Sequence, residues 1–279
     1  MHDSTNLLSR HGDGRPRIMG VINCTPDSFY ERSRSEQLEH SLEIVKKMIS
    51  EGADWIDIGG ESTRPGATEV SIDEEKRRTI PLILEIRKRF PNQAISIDTR
   101  RHQVAKEAII AGANMINDVS GLRDPEMCEL VLSTQAHVCI MHMQGDPTNM
   151  QNSPQYTDVV QEVSSNLLRK ARRLVEQGLP VNRICLDPGI GFGKTLEHNI
   201  SLLKNSESLR GDEGFSILWG VSRKSMFRDL LGREDTNERL AGTLGVAAYA
   251  QSKGIDILRV HDVAEHADVG HTISKLELN

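Results

Sequence analysis

Residues 94–118 read AISIDTRRHQVAKEAIIAGANMIND, in which a short apolar run stands at each end of a longer helical pattern. The two runs, 94–98 and 115–118, have the length of buried strands, and Gly112 stands where a helix commonly ends. The stretch therefore predicts a strand, a helix and a second strand. This is the unit from which α/β folds with parallel sheets are built.

The same alternation runs through the whole chain. Eight apolar runs are predicted as strands, at 18–23, 55–59, 94–98, 115–118, 137–142, 184–187, 216–220 and 257–261. Helical patterns follow at about 37–50 and 73–90, after strand three as far as about 111, at about 125–133, 157–177, 196–205 and 237–252, and from about 263. Eight such units match a single (β/α)8 TIM barrel, which we predict over 18–279 after a short polar N-terminal arm, 1–17. A doubly wound sheet is the alternative.

Composition argues against several classes of partner. The chain of 279 residues has a formal net charge of −6, which argues against nucleic-acid binding through a basic surface. No apolar run approaches the roughly 18 residues of a membrane span, and 1–17 lacks the apolar segment of a signal peptide. We therefore expect no membrane partner and a cytoplasmic location. No C-x-x-C pair occurs, so free thiols are expected at Cys24, Cys128, Cys139 and Cys185.

Hydrogen-bond acceptors end three of the middle strands. These residues are Asp98, Asn117 and Asp187, and in a TIM barrel such strand ends form the active site. Carboxylates and an amide in a partly apolar pocket suit a planar heterocycle rich in N–H donors. Met141 and Phe192 are candidates to pack on the faces of that ring, with plain core packing as the alternative.

Cationic residues end the last two strands. Arg223 and Lys224 follow strand seven, and Arg259 and His261 are two residues apart, on one face if strand eight extends that far. The loops after strands seven and eight are the usual phosphate site of TIM barrels. Asn23 ends strand one, which pairs with strand eight when the barrel closes. The sequence thus predicts an anion site beside the heterocycle site.

The stretch 185–195, CLDPGIGFGKT, ends like the phosphate-binding loop of NTPases. That loop is G-x-x-x-x-G-K-[ST], and the position of its first glycine is taken here by Pro188. Proline has no N–H to offer a phosphate, so the NTPase interpretation fails. What remains is Asp187 followed by a glycine-rich turn, which we expect to form a wall of the pocket, with Lys194 at the surface.

Eight motifs, in order along the chain, closely resemble those of dihydropteroate synthases, the folate-pathway enzymes that sulfonamides target. They are NCTPDSF (23–29), GGESTRPGA (59–67), SIDT (96–99), IND (116–118), MHMQG (141–145), LDPGIGFGK (186–194), SRKS (222–225) and RVHDV (259–263). The resemblance implies a transferase that forms a C–N bond between 6-hydroxymethyl-7,8-dihydropterin pyrophosphate and p-aminobenzoate. The products would be 7,8-dihydropteroate and pyrophosphate, with Mg²⁺ as cofactor.

The resemblance also implies a role for each matching residue. The family's pterin-binding positions fall on Asp98, Asn117, Asp187 and Lys224, beside the ring-face candidates Met141 and Phe192. Its pyrophosphate positions fall on Asn23, Arg259 and His261, with Asn23 also near the metal. The loop after strand two brings Thr63 and Arg64, and the p-aminobenzoate pocket is expected around Phe29, Pro65, Lys224 and Ser225. A homodimer formed through the last helices is also implied.

The first loop departs from the family pattern. After NCTPDSF the family usually continues with a serine, an aspartate and two glycines, whereas this chain has Tyr30, Glu31, Arg32 and Ser33. The loop therefore loses any positive-φ conformations that the glycines supplied. Glu31 is expected to take the place of the aspartate and to join Lys224, Arg259 and His261 as a catalytic group. A solvated loop charge is the alternative for Glu31.

Three other functions compete with the synthase. A pterin-binding methyltransferase domain acting with a corrinoid partner shares the barrel and the pterin carboxylates, but SRKS and RVHDV favour pyrophosphate chemistry. The altered first loop allows a weakly catalytic pterin-binding protein. A Schiff-base aldolase would use Lys224, with its neighbour Arg223 lowering the pKa of the lysine.

Overall fold

The protein is described by a computed structural model over residues 6–24, 34–62, 69–145 and 154–277. Its strands are β1 (Arg17–Asn23), β2 (Trp55–Gly59), β3 (Ala94–Asp98), β4 (Met115–Asp118), β5 (His137–Met141), β6 (Ile184–Asp187), β7 (Ser216–Trp219) and β8 (Ile257–Val260). Each corresponds to a predicted strand. Short apolar runs bounded by polar residues were therefore a sufficient signal for these elements.

The helices are α1 (Arg34–Ser50), α2 (Ile72–Arg89), α3 (His102–Ala111), α4 (Pro125–Thr134), α5 (Val159–Glu176), α6 (Leu196–Lys204), α7 (Met226–Leu231), α8 (Leu240–Ser252) and α9 (Val263–Glu277). The sequence prediction missed α7, a six-residue helix that is followed by Gly232 as its C-cap, with φ of 68°. The helix predicted from residue 237 begins at Leu240, because Thr236–Arg239 forms a 3₁₀ turn.

The strands are all parallel and close into a barrel in sequence order, so the predicted (β/α)8 fold is confirmed. Closure occurs between β1 and β8, where Met19 lies opposite Arg259. From Asn6 onward the N-terminal arm packs under the barrel. Leu8 is fully buried there, and Trp55 Nε1 donates to the carbonyl of Leu7 at 3.0 Å.

The barrel interior changes from apolar to polar along the strands. Its apolar floor consists of Leu8 with Met19, Trp55, Ala94, Met115, Cys139, Cys185, Leu218 and Ile257. Side chains alternate along a strand, so residues two places further on face the same way. Those positions hold Val21, Asp57, Ser96, Asn117, Met141, Asp187, Gly220 and Arg259. Five of these eight are polar or charged, which places a polar pocket directly above the floor.

Candidate functional site

Five of the predicted binding residues meet above the apolar floor, at the carboxyl ends of the strands. Asp98, Asn117 and Asp187 are buried. Lys224 and Arg259 are half-buried and enter from the loop after β7 and from β8. The structure thus brings the acceptors and two of the cations into one pocket.

Arg259 connects two carboxylates across the pocket. Its Nε donates to Asp57 Oδ2 and its Nη2 donates to Asp98 Oδ2, each at 2.6 Å. Burial by itself lowers the pKa of Arg259, but the two carboxylates outweigh that effect and raise it. Burial raises the pKa of Asp98 to about 7, with Arg259 opposing the shift and Asp57 adding to it. The site therefore holds a carboxyl group that titrates near neutral pH.

Asp57 is a site residue that the sequence analysis missed. It is fully buried in the middle of β2, and its Oδ2 also accepts from Asn117 Nδ2 at 3.3 Å. Its Oδ1 is buried without a hydrogen-bond partner among the described residues. The available signal was a charged residue inside the apolar run WIDIG, two places before the strand end.

Asp187 lies on the opposite side of the pocket from Asp57. The backbone N–H of Gly189 donates to its Oδ1 at 2.7 Å. Burial raises its pKa, and the nearby charge of Lys224 opposes that shift. A Cβ atom placed on Gly220 would lie 3.8 Å from Asp187 Oδ2 and 3.9 Å from Arg259. Such an atom would make ordinary van der Waals contact with both side chains, so Gly220 lies between Asp187 and Arg259.

Lys224 and Phe192 form one wall of the pocket mouth. Lys224 Nζ lies 4.2 Å from the centroid of the Phe192 ring and donates to the carbonyl of Ile190. Burial lowers the pKa of Lys224 to about 8, while Asp187 opposes the shift and Arg259 adds to it. The predicted ring-face residue Phe192 is half-buried, and Lys224 Nζ lies over its ring.

Met141, the other ring-face candidate, lies deeper in the barrel. It is buried at the end of β5, where it pairs in register with Asp187. It occupies the same inward layer as Asn117, so it adds an apolar surface between two acceptors. The structure thus places both candidate ring-face residues beside the acceptors.

Three predicted residues stand at the rim of the barrel. Asn23 and Ser225 are exposed, the first at the end of β1 and the second just before α7. His261 is exposed and follows β8, which ends at Val260. Its Nδ1 lies 3.0 Å from Ser222 Oγ. Arg259 and His261 were expected to lie on one strand. That expectation is wrong, because the strand ends one residue before His261.

Arg223 does not contribute to the anion site. Its Nε and Nη2 donate to the two oxygens of Asp262 at 2.8 and 2.6 Å, and its Nη1 donates to Asn237 at 2.9 Å. Its φ of 56° lies in the left-handed region, which is uncommon for a residue other than glycine. The aldolase alternative expected Arg223 to lower the pKa of Lys224. That expectation is wrong, because burial and the charge of Arg259 lower it.

Lys194 was expected at the surface, and that expectation is wrong. The side chain is buried, and burial lowers its pKa to about 7 although Asp187 opposes the shift. Its Nζ donates to His142 Nδ1 at 3.2 Å and to the carbonyls of Gly189 and Phe192 at 3.1 and 3.0 Å. The glycine-rich turn folds over the Lys194 side chain, and the sequence pattern does not predict this geometry.

Five predicted site residues lie outside the described part of the chain. They are Phe29, Glu31, Thr63, Arg64 and Pro65. The loop that carries the last three is bracketed by an ion-pair network, in which Glu61 accepts from Arg100 at 3.0 Å and from Arg101 at 3.0 Å. Both arginines also contact Glu69, at the other end of the loop. The two ends of this loop are therefore joined.

One group of side chains in the described residues has the spacing of metal ligands, namely His102, Asp124 and Glu126. Both ring nitrogens of His102 already have a carboxylate partner at 2.7 Å. The group lies where α3 and α4 begin, apart from the predicted metal position at Asn23. Asn23 offers an amide oxygen, a hard donor of the kind that Mg²⁺ accepts.

A TIM barrel with buried carboxylates and half-buried cations at its mouth has the layout of an enzyme for a polar small molecule. The sequence matches the family described as Pterin binding enzyme over residues 19–261, and the chain belongs to that family. It is 43% identical to the dihydropteroate synthase of Escherichia coli (strain K12) over 250 residues, which make up 90% of this chain and 88% of that protein. The resemblance seen in the motifs is thereby confirmed.

Solved structures give the same result. A Yersinia pestis dihydropteroate synthase in complex with a sulfonamide drug has a TM-score of 0.88 and 40% identity, covering 96% of this chain and 97% of that one. A Burkholderia cenocepacia dihydropteroate synthase complexed with 7,8-dihydropteroate has a TM-score of 0.83 and 40% identity, covering 94% of this chain and 91% of that one.

Among the described residues, no helix has the length and apolar character to cross a bilayer.

Proposed function

We propose that this chain acts as a dihydropteroate synthase. In this reaction 6-hydroxymethyl-7,8-dihydropterin pyrophosphate and p-aminobenzoate give 7,8-dihydropteroate, pyrophosphate and a proton. The observation that carries the proposal is the meeting of Asp98, Asn117 and Asp187 with Lys224 and Arg259 in one pocket. The similarity to known synthases over most of the chain supports it.

The pterin ring is held by the buried acceptors. Its guanidine-like edge presents N–H donors to the carboxylate of Asp187, and Asp98 and Asn117 serve the other edge of the ring. Gly189 and Arg259 already orient the two carboxylates through hydrogen bonds. Because these groups are oriented before the ligand arrives, little ordering remains to oppose binding.

Bond cleavage places positive charge on the pterin methylene and negative charge on the pyrophosphate. The C–O bond breaks with its electron pair going to the pyrophosphate, and the amine nitrogen of p-aminobenzoate then forms the new C–N bond and loses a proton. Lys224, Arg259 and His261 stabilise the departing anion. Arg259 commits two of its donors to Asp57 and Asp98, so it contributes mainly through charge.

The proposal also assigns roles to the p-aminobenzoate pocket and to residues outside the described ranges. Phe29, Pro65 and Ser225, together with Lys224, form the p-aminobenzoate pocket, and Thr63 and Arg64 approach from the loop after β2. Glu31 stabilises the developing positive charge on the methylene. Ser225 lies directly after Lys224 at the rim, which fits a second substrate that enters from solvent.

Mg²⁺ is proposed as cofactor, and Asn23 would hold it together with the pyrophosphate group of the substrate. Magnesium sites commonly combine one or two protein carboxylates with substrate phosphates and water, and the Asn23 amide oxygen would take the place of such a carboxylate. When bound, the ion supplies charge neutralisation for the leaving group. Asn23→Ala is expected to raise the Mg²⁺ concentration needed for half-maximal rate, whereas Ser225→Ala leaves it unchanged.

A homodimer and a cytoplasmic location also belong to the proposal. Exposed apolar side chains on neighbouring late helices, Leu230, Leu231 and Tyr249, offer a surface for a second copy. The four cysteines are free thiols, as is usual for a reducing compartment. Light scattering on the purified chain decides the first point, because a mass of one chain at micromolar concentration would contradict the dimer.

Product analysis tests the proposed reaction. The purified chain is incubated with the pterin pyrophosphate and Mg²⁺, with and without p-aminobenzoate, and the products are identified by mass spectrometry. We expect 7,8-dihydropteroate and an equal amount of pyrophosphate when both substrates are present. A folded chain that binds the pterin and makes no dihydropteroate, but transfers a methyl group from an added methylated reduced pterin to an added corrinoid in a second assay, would establish the methyltransferase.

A further inference from the structure

The buried ammonium of Lys194 lies at the centre of a ring of acceptors. Three of them are backbone carbonyls, those of His142, Gly189 and Phe192, between 3.0 and 3.4 Å from Nζ. The fourth is the Nδ1 of His142, whose imidazole is neutral because burial lowers its pKa to about 3. These acceptors come from two separate segments, the end of β5 and the turn after β6. The lysine therefore joins the two segments from inside.

The turn after β6 is shaped to enclose this ammonium. Gly189 has a φ of 67°, and a Cβ atom there would lie 1.9 Å from the carbonyl oxygen of His142, so only glycine permits this close approach. Tyr156 Oη donates to the carbonyl of Gly193 at 3.0 Å and fixes the turn from outside. A buried carbonyl that loses its donor is costly, so the turn depends on the groups that satisfy its carbonyls.

The same turn sets the position of two ligand-facing side chains. Gly189, whose carbonyl accepts from Lys194, donates its own N–H to Asp187 Oδ1 at 2.7 Å. Phe192, whose carbonyl also accepts from Lys194, presents its ring to Lys224. The backbone carbonyls of Gly189 and Phe192 thus both accept from Lys194. Gly189 also contacts Asp187, and the Phe192 ring contacts Lys224.

We propose that Lys194 is a positioning residue for the pterin, acting through the turn 188–193 rather than by contact with the substrate. Its ammonium holds Gly189 and Phe192 against the end of β5, and this sets the orientation of the Asp187 carboxylate and of the Phe192 ring. The inference rests on the proposed function, because it assigns these two side chains to the pterin.

Substitution of Lys194 by methionine tests the inference. Methionine has similar length and apolar volume but donates no hydrogen bond, so the three carbonyls lose their shared donor and the turn relaxes. The matched control is Lys170→Met, which removes a half-buried cation whose charge also acts on His142 but which, within the described residues, donates no hydrogen bond to the turn. Calorimetry with 6-hydroxymethylpterin gives the dissociation constant and, separately, the fraction of binding-competent protein.

We expect Lys194→Met to weaken pterin binding by about ten-fold or more at a stoichiometry near one site, a loss of about 1.4 kcal/mol. Lys170→Met should stay within about two-fold of the wild type. If Lys194→Met does not fold, Lys194→Gln is used instead. It keeps an amide donor on a shorter side chain that satisfies only part of the acceptors, so it should weaken pterin binding by less than Lys194→Met is expected to, but by more than about two-fold. A purely structural role would lower the binding-competent fraction and leave the dissociation constant unchanged, and that result overturns the inference. If the wild-type chain itself binds no pterin, the result contradicts the proposed function rather than the role of Lys194.

Discussion

Arg259 and Asp57 form an ion pair inside the barrel, with Nε and Oδ2 2.6 Å apart. The same guanidinium holds Asp98 at 2.6 Å, so one arginine links two buried carboxylates of the pocket. The arginine proposed to bind pyrophosphate is thus also paired with a carboxylate proposed to bind the pterin. Arg259 would therefore couple the two halves of the proposed substrate site electrostatically.

Replacing Asp57 should change the pH dependence of pterin binding. In the wild type, affinity for 6-hydroxymethylpterin should rise as pH increases through about 7, because Asp98 accepts N–H donors fully only when ionised. The negative charge of Asp57 helps to keep the pKa of Asp98 high, so Asp57→Asn should move this transition to lower pH. Calorimetry between pH 5 and 8 measures both curves. Coincident curves would mean that Asp57 does not influence the titration.

Arg259→Ala should weaken binding of both substrate halves, but unequally. Pyrophosphate loses a cation, and free hydroxymethylpterin loses the orientation that the arginine gives to Asp98. Because charged hydrogen bonds contribute about 1.5–3 kcal/mol, we expect the pterin pyrophosphate to lose roughly ten- to a hundred-fold in affinity and the free pterin less. Competition binding with both ligands decides this point. Equal losses would assign Arg259 a structural role alone.

His142→Asn should make the protein more resistant to acid. The unfolded imidazole takes up a proton as pH falls below its ordinary pKa of 6.5, whereas the buried one does so only near about 3. The unfolded state therefore binds more protons in this window, and stability is lost as pH falls. Asparagine keeps an acceptor for Lys194 and does not titrate. Urea unfolding measures the free energy of unfolding of the variant minus that of the wild type. This difference should be about 1 kcal/mol more positive at pH 5.5 than at pH 7.5.

Glu31→Gln should lower kcat by roughly ten-fold or more and leave pterin affinity nearly unchanged. A carboxylate near the methylene stabilises positive charge that develops only as the C–O bond breaks, so its effect falls on the transition state. Glu31→Asp should retain more activity, because the charge survives at shorter reach. Steady-state kinetics on both variants tests this prediction, and a wild-type kcat in Glu31→Gln would show that the residue has no catalytic role.

The barrel and most of the candidate pocket were predictable from the sequence, because polar side chains such as Asp98 and Asp187 stand at the ends of apolar runs. Asp57 was missed because it lies inside its strand, where only the inward direction of the side chain reveals its contact with Arg259. The positions of Lys194 and Arg223 depend on backbone turns. Their partners, His142 and Asp262, are 52 and 39 residues away, so no local pattern identifies them.

The pterin affinity of Asp187→Asn tests the central claim most directly. The substitution keeps the shape of the side chain and removes the charge that receives the guanidine-like edge of the pterin, a loss of about 1.5–3 kcal/mol. Calorimetric titration of the folded wild type and the variant with 6-hydroxymethylpterin should therefore show a wild-type complex that weakens by about ten- to a hundred-fold. A variant that binds the pterin as tightly as the wild type would contradict the assignment of this pocket.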